Sequence, residues 1–239
     1  MPSEAIVLAG GLGTRLRRVV KDVPKPMAGV NGRPFLSYVL DPLAEAGIAK
    51  AVLSTGYRSE AIKDFFGPMY REMSIEYMIE EEPLGTGGAI LASLGHIRGE
   101  ELFILNGDTF FEVGLDGLIK AHRDSRAEIT LALKPMRDFE RYGSVILDGN
   151  RVAGFREKSF VRAGLVNGGV YAVNRDIGEK LSKTGLKIFS FEKDFLEKEI
   201  GSLNASGFVS DSYFIDIGIP EDYERARREF RNMRKGAGG

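Results

Sequence analysis

Four short apolar runs in the first half of the chain, Ala5–Ala9, Ala51–Ser54, Ile75–Ile79 and Leu102–Leu105, are separated by amphipathic stretches. The stretches at Phe35–Ala46, Ser59–Phe66 and Gly87–Leu94 carry helical periodicity, and the apolar runs have the length of buried strands. Strand and helix in alternation predict an α/β fold with a doubly wound, mostly parallel sheet. Ligands of such a sheet bind beyond the carboxyl ends of its strands. The second half is less regular. Strands are expected at Glu128–Leu133, Ser144–Leu147 and Val166–Val173, with turns at Arg141–Gly143 and Asp148–Asn150. Helices are expected at Phe191–Ile200 and Glu221–Arg231. No repeat or linker divides the chain, so residues 1–232 are read as one domain and 233–239 as a flexible tail.

Composition narrows the chemistry. There is no cysteine among the 239 residues, which excludes thiol nucleophiles, disulfides and Cys-ligated zinc. With only His96 and His122 present, a histidine-built zinc site is equally disfavoured, and any metal should be a hard ion held by carboxylates, which favours Mg2+. A formal charge of -1 argues against a nucleic-acid partner. The first thirty residues nevertheless gather Arg15, Arg17, Arg18, Lys21 and Lys25 against Glu4 and Asp22, a balance suited to a small anion. No apolar run reaches the length of a membrane span, and the expected location is the cytoplasm.

The first predicted strand runs into Leu8-Ala9-Gly10-Gly11-Leu12-Gly13-Thr14-Arg15. Glycines let backbone N–H groups turn toward an anion, and Arg15 adds a forked, permanently charged donor. On these residues alone, a tight strand-to-helix turn is an equal reading. Lys25 stands between Pro24 and Pro26, which restrict its backbone to extended conformations, as suits an ammonium that must meet a phosphate. A lysine in an ordinary surface turn is the alternative.

Together, Gly-Gly-x-Gly-x-Arg-Leu and Pro-Lys-Pro resemble the signature of the sugar-1-phosphate nucleotidyltransferases. The resemblance continues in order through Glu82–Ala89, Asn106–Thr109, Glu157-Lys158, Asn167–Tyr171 and Asp216–Tyr223. Within that family, Asp138–Gly143 and Tyr213–Asp216 are most similar to D-glycero-α-D-manno-heptose 1-phosphate guanylyltransferases. The resemblance implies a Rossmann-like, mixed sheet of the nucleotide-diphospho-sugar transferase type. Its nucleotide-binding part would cover about 1–125 and its sugar-binding part about 126–232. It implies Arg15, Lys25 and Asp108 as catalytic residues. Leu8, Ala9, Gly10, Gly11, Gly13, Thr14, Arg15, Glu80, Pro83, Gly85, Thr86 and Gly107 would contact the nucleotide. Lys25, Gly143, Glu157, Lys158 and Asn167 would contact the sugar phosphate, and Asp108 and Asp216 would hold Mg2+.

The expected partners are GTP and a sugar 1-phosphate, with a homo-oligomer possible, and the expected product is a GDP-sugar for surface polysaccharide synthesis. Guanine is favoured because Glu80 occupies the position that reads the base in the family. A carboxylate is acceptor-only and matches guanine's adjacent N1–H and 2-amino donors. Glu81 and Glu82 read as solvated. Use of UTP or dTTP with a hexose or N-acetyl-amino-sugar 1-phosphate remains the nearest alternative at this stage. A non-catalytic nucleotide-sugar sensor on the same fold is a more distant one. The sugar phosphate is already anionic, so the reaction calls for alignment and charge neutralisation and not a covalent nucleophile.

Overall fold

The computed structural model describes residues 1–11 and 23–236. The expected contacts Gly13, Thr14 and Arg15 lie outside the described residues. The four predicted apolar runs form strands β1 (Glu4–Leu8), β4 (Lys50–Thr55), β6 (Met73–Ile79) and β7 (Glu101–Asn106). The lower numbers between them belong to the two-residue strands β2 (Gly29–Val30), β3 (Arg33–Pro34) and β5 (Met69–Tyr70). β1 pairs in parallel with both β4 and β7, and β4 with β6, giving the spatial order β7-β1-β4-β6. The sheet therefore winds one way from β1 to β6 and the other way from β1 to β7. The crevice where the winding reverses lies at the carboxyl ends of β1 and β7.

Alternation along β1 explains the two-sided burial. Ala5, Val7 and Ala9 face a core that includes helices α1 (Phe35–Glu45) and α7 (Pro220–Gly236). Ile6 faces a second core built on α3 (Gly85–Leu94), with α2 (Ser59–Phe66) lying between α1 and α3 in sequence. A strand buried on both faces needs a near-continuous apolar run, which is how β1, β4 and β7 read.

Later strands extend the same sheet beyond β7. These are β9 (Ile129–Phe139), β10 (Ser144–Asp148), β11 (Arg151–Arg156), β12 (Val161–Asn174) and β13 (Ala205–Val209), while β8 (Thr109–Phe111) and β14 (Phe214–Asp216) pair in a separate two-stranded sheet. Among the described residues the main sheet has ten strands, with β12 antiparallel to both β7 and β9. The expected doubly wound, mixed α/β fold is present.

Some elements differ from expectation. Helices α4 (Leu115–Asp124) and α5 (Ile177–Lys183) were not anticipated. In α4, Leu115, Leu118, Ile119 and His122 have helical spacing, but a buried histidine fills the fourth position, its ring bonded to Thr130 and Asn174. The predicted helix at Phe191–Ile200 is a π-helix over Phe191–Leu196 followed by the short α6 (Glu197–Glu199). α7 continues to Gly236, past the point where a tail was expected, because nothing in the charged run Arg231–Lys235 opposes helix. Among the described residues, no helix is long and apolar enough to cross a membrane.

Candidate active site

Two cavities meet at the carboxyl ends of β1 and β7. The first, about 390 Å3, is lined by Leu8, Gly10, Gly11, Glu80, Pro83, Gly85 and Thr86 among others. The second, about 550 Å3, is lined by residues that include Gly143, Glu157, Lys158, Asn167 and Asp216. Lys25, Asn106 and Asp108 line both. Two groups of residues that the sequence reading assigned to different substrates thus line adjoining spaces with a common wall. Ala9 and Gly107, also expected to contact the nucleotide, line neither cavity.

Gly107 shows why that wall is so close to β1. Its N–H donates to the Leu8 carbonyl at 2.9 Å, and a Cβ at this position would lie 2.8 Å from the same oxygen. Any side chain here would force β1 and the β7 loop apart and carry Asp108 away from the cleft. Lys25 reaches Asp108 from a separate element, a turn of 3-10 helix over Lys25–Met27. Bonds from Met27 N to Pro24 O and from Ala28 N to Lys25 O close that turn, and Pro26 is buried in it. The restricted lysine inferred from its prolines is therefore held in a turn rather than in extended chain.

Lys25 Nζ lies 2.5 Å from Asp108 Oδ2 and 3.4 Å from Asp216 Oδ1. Asp216 arrives through β14, which pairs with β8 so that Asp216 sits opposite Thr109. One oxygen of Asp216 also accepts the Gly218 N–H at 2.7 Å. Burial raises the Asp216 carboxyl above its ordinary value, the Asp108 charge adds to this, and Lys25 opposes both. Two acids more than a hundred residues apart thus share one cation. Among the described residues no cluster of three or more metal-ligating side chains occurs.

The glycine loop after β6 is packed from outside by the segment before the π-helix. Gly85 has φ +70°, and a Cβ there would lie 2.5 Å from the Phe189 carbonyl. A Cβ on Gly87 would overlap the Phe189 ring, and one on Gly88 would meet Lys187 O at 2.6 Å. Phe189 O also accepts the Gly87 N–H, and Phe189 N donates to Leu84 O. These glycines make room for protein, so one amide of the loop is already committed and is not open to a nucleotide. Gly143 is similar: a Cβ would lie 2.8 Å from Arg156 O, so its smallness admits β11 backbone as well as bordering the cavity.

Asn167 sits at a break in the β9–β12 register, where Gly169 takes φ +69°. Its amide donates to the Tyr171 hydroxyl at 2.7 Å and to Glu192 Oε1 at 2.9 Å, while Tyr171 also donates to Glu192. Glu192 lines the second cavity, into which it is exposed. Desolvation raises its carboxyl; Tyr171 opposes this, and the Glu197 and Asp108 charges add to it. Glu192, Asn106 and Tyr142 are cavity residues that sequence reasoning did not single out. Asn106 was legible as the first residue of Asn-Gly-Asp-Thr and Tyr142 as part of the stretch Asp138–Gly143, whereas Glu192 carries no local signal. Burial, then Asp216, pushes the Tyr142 phenol up to about 12, so it remains a donor at neutral pH.

A profile of the family described as "Nucleotidyl transferase" matches residues 4–232. The chain belongs to the nucleotidyl transferase family. This nucleotidyl transferase is 50% identical to a D-glycero-alpha-D-manno-heptose 1-phosphate guanylyltransferase of Aneurinibacillus thermoaerophilus, over 96% of the chain and 99% of the relative. A protein of the same name from Campylobacter jejuni is 45% identical, over 92% of the chain and 96% of the relative. Among solved structures, HddC from Yersinia pseudotuberculosis complexed with GMP-PN superposes with a TM-score of 0.83 at 36% identity. That match covers 95% of the nucleotidyl transferase and 99% of HddC.

Proposed function

We propose that this nucleotidyl transferase transfers GMP from GTP to D-glycero-α-D-manno-heptose 1-phosphate, giving GDP-heptose and pyrophosphate. The observation that carries the reading is the pair of adjoining cavities with Lys25, Asn106 and Asp108 as their common wall. A transfer between two bound phosphates needs such a geometry, with cationic groups at the junction where negative charge accumulates. The heptose and guanine assignments rest on the names of the curated relatives and on Glu80 as an acceptor-only reader.

GTP would occupy the cavity of Glu80 and Gly85, and the sugar phosphate that of Glu157, Lys158 and Glu192. An oxygen of the sugar phosphate attacks the α-phosphorus of GTP. A new P–O bond forms, the bond from that phosphorus to the bridging oxygen breaks, and pyrophosphate leaves with the electron pair. No proton has to be removed from the attacking dianion, which fits a site without a histidine base. Lys25 would turn from the carboxylates toward the phosphates, its backbone held by the closed turn, and Lys158 would offset the charge of the sugar phosphate.

Asp108 and Asp216 already hold one cation between them, the Lys25 ammonium, so their donor set suits a hard dication. Mg2+ bound there would supply further charge neutralisation on phosphate oxygens.

The test is pyrophosphate release over a panel of GTP, ATP, CTP, UTP and dTTP against heptose, mannose, glucose and N-acetylglucosamine 1-phosphates. Fastest turnover is expected with GTP and the heptose phosphate. A clear preference for a pyrimidine nucleotide, or for a hexose phosphate, overturns the corresponding half of the proposal.

A further inference from the structure

Glu80 is held on every side by groups that belong to other elements. Its backbone N–H donates to Thr55 O at 2.7 Å, at the carboxyl end of β4. Its side chain turns back to the residue before, where the Ser54 hydroxyl donates to Oε1 at 3.0 Å. The other oxygen, Oε2, accepts the Leu84 N–H at 2.9 Å. The carboxylate also occupies a slot between two glycines: a Cβ on Gly10 would clash with Oε1, and one on Gly56 would lie 3.6 Å from the Glu80 Cβ. The serine side chain is fully buried, and its hydroxyl has the carboxylate as its partner.

A carboxylate offers about four acceptor sites, two on each oxygen. Here one site on each oxygen is taken by a protein donor, and these donors come from two different directions. A terminal carboxylate torsion is otherwise broad, with no well of its own to select an orientation. Two bonds at opposite oxygens remove that freedom. Each oxygen keeps one further acceptor site, and the spacing of two carboxylate oxygens suits two adjacent donors on one edge of a base.

We infer that Ser54 is a positioning residue for base selection: it holds the Glu80 carboxylate so that both oxygens accept from guanine at once. This rests on the assignment of GTP to the first cavity. With the serine hydroxyl gone, the Leu84 N–H alone anchors the group, and rotation breaks the simultaneous contact. The second donor of guanine, its 2-amino group, then loses its advantage. Ser54→Ala removes only that arm, since the bond joining β1 to β4, from Ala9 N to Ser54 O at 2.7 Å, uses the serine backbone.

The experiment compares kcat/KM for GTP and ITP, which lacks the 2-amino group, in wild-type enzyme, Ser54→Ala, Ser54→Cys and Glu80→Gln. The cysteine variant keeps the side-chain shape with a much weaker donor, and it carries the measurement should the alanine variant unfold. The GTP-to-ITP ratio is expected to fall about tenfold in the serine variants, in line with loss of one bond to a charged group. The KM for the sugar phosphate is expected to stay at the wild-type value, which general loosening of the site would not allow. A folded serine variant with the wild-type ratio overturns the positioning role. If Glu80→Gln also leaves the ratio unmoved, the assignment of Glu80 to the base fails with it. If Glu80→Gln shifts the ratio and Ser54→Ala does not, only the role of Ser54 is lost.

Discussion

Lys25 Nζ stands 2.5 Å from Asp108 Oδ2, an ion pair between a proline-flanked turn and the loop after β7. It joins a group expected to meet phosphate to a group expected to hold metal. On the proposed reading the lysine serves the carboxylates and the phosphates in turn. Replacing Lys25 with alanine is expected to lower turnover by about 10²-fold or more at saturating substrates, the usual cost of one transition-state charge stabiliser. Asp108→Asn should fall into the same range. Steady-state pyrophosphate release measures both, and near-wild-type turnover in either variant removes that residue from the chemistry.

The same pairing makes a prediction about the free protein. In Lys25→Met the Asp108 and Asp216 carboxylates lose the ammonium they share. Added Mg2+ or Mn2+ should then raise the unfolding temperature of the variant more than that of the wild type, in the absence of nucleotide. Thermal unfolding with and without the ion reads this directly. An equal or smaller rise in the variant would tell against a shared cation position.

Glu192 should separate affinity for the sugar phosphate from stability. Desolvation raises its carboxyl, so the ionised form is disfavoured by folding and relieved as pH falls through its raised value. Glu192→Gln keeps an acceptor for Tyr171 and Asn167 while removing that charge. The variant is expected to be at least as stable as wild type near neutral pH, yet to show a KM for the sugar phosphate about tenfold higher, with the KM for GTP unchanged. A raised KM for GTP alone would place Glu192 on the wrong substrate.

Away from the cleft, Glu4 anchors the start of β1. It pairs with Lys50 at 2.7 Å and accepts the backbone N–H groups of Arg98 and Gly99. Burial works to raise its carboxyl, but Lys50 and the two amides outweigh this and leave it below its ordinary value. A lowered value means that the stabilisation is complete above the unfolded-state pKa of about 4.3 and is lost as pH falls through the lowered one. Glu4→Gln should cost about 2–3 kcal/mol in urea unfolding at pH 7, and the difference should shrink at strongly acid pH. A cost that does not change with pH would mean that charge is not what the site uses.

The glycine loop offers a steric test. Gly85→Ala combines a left-handed φ with a Cβ directed at the Phe189 carbonyl. A loss of about 1–3 kcal/mol and a raised KM for GTP are expected. Phe189→Ala removes the ring from over Gly87 and should raise the KM for GTP without the backbone strain. If Gly85→Ala is neutral in both stability and KM, the loop does not depend on this packing.

Much of the site was legible because its signals are local. Lys25 between two prolines, Asp108 after Asn-Gly at the end of an apolar run, and Glu80 ahead of a glycine cluster each stand out within a few residues of sequence. Glu192 does not, since Phe191-Glu192-Lys193-Asp194 reads as a charged helix surface, and only its bonds to Asn167 and Tyr171 draw it into the cavity. Ser54 was hidden for a similar reason: a serine closing an apolar run looks like a strand end. The glycines at 85, 87 and 88 open helix α3, and their use in admitting Phe189 depends on a segment a hundred residues away.

From the sequence by itself came the alternation of apolar runs and helices, hence the doubly wound sheet and the end of it at which ligands are expected. Absence of cysteine and scarcity of histidine excluded thiol, disulfide and zinc chemistry of the usual kinds. Those are properties of neighbouring residues, decided by periodicity and side-chain type. Only the tertiary structure decided that Asp216 meets Asp108 across one ammonium, that two cavities share a wall, and that a buried serine holds Glu80. Such contacts join residues far apart along the chain, and their distances are set by how β1, β4, β7 and β14 pack against one another.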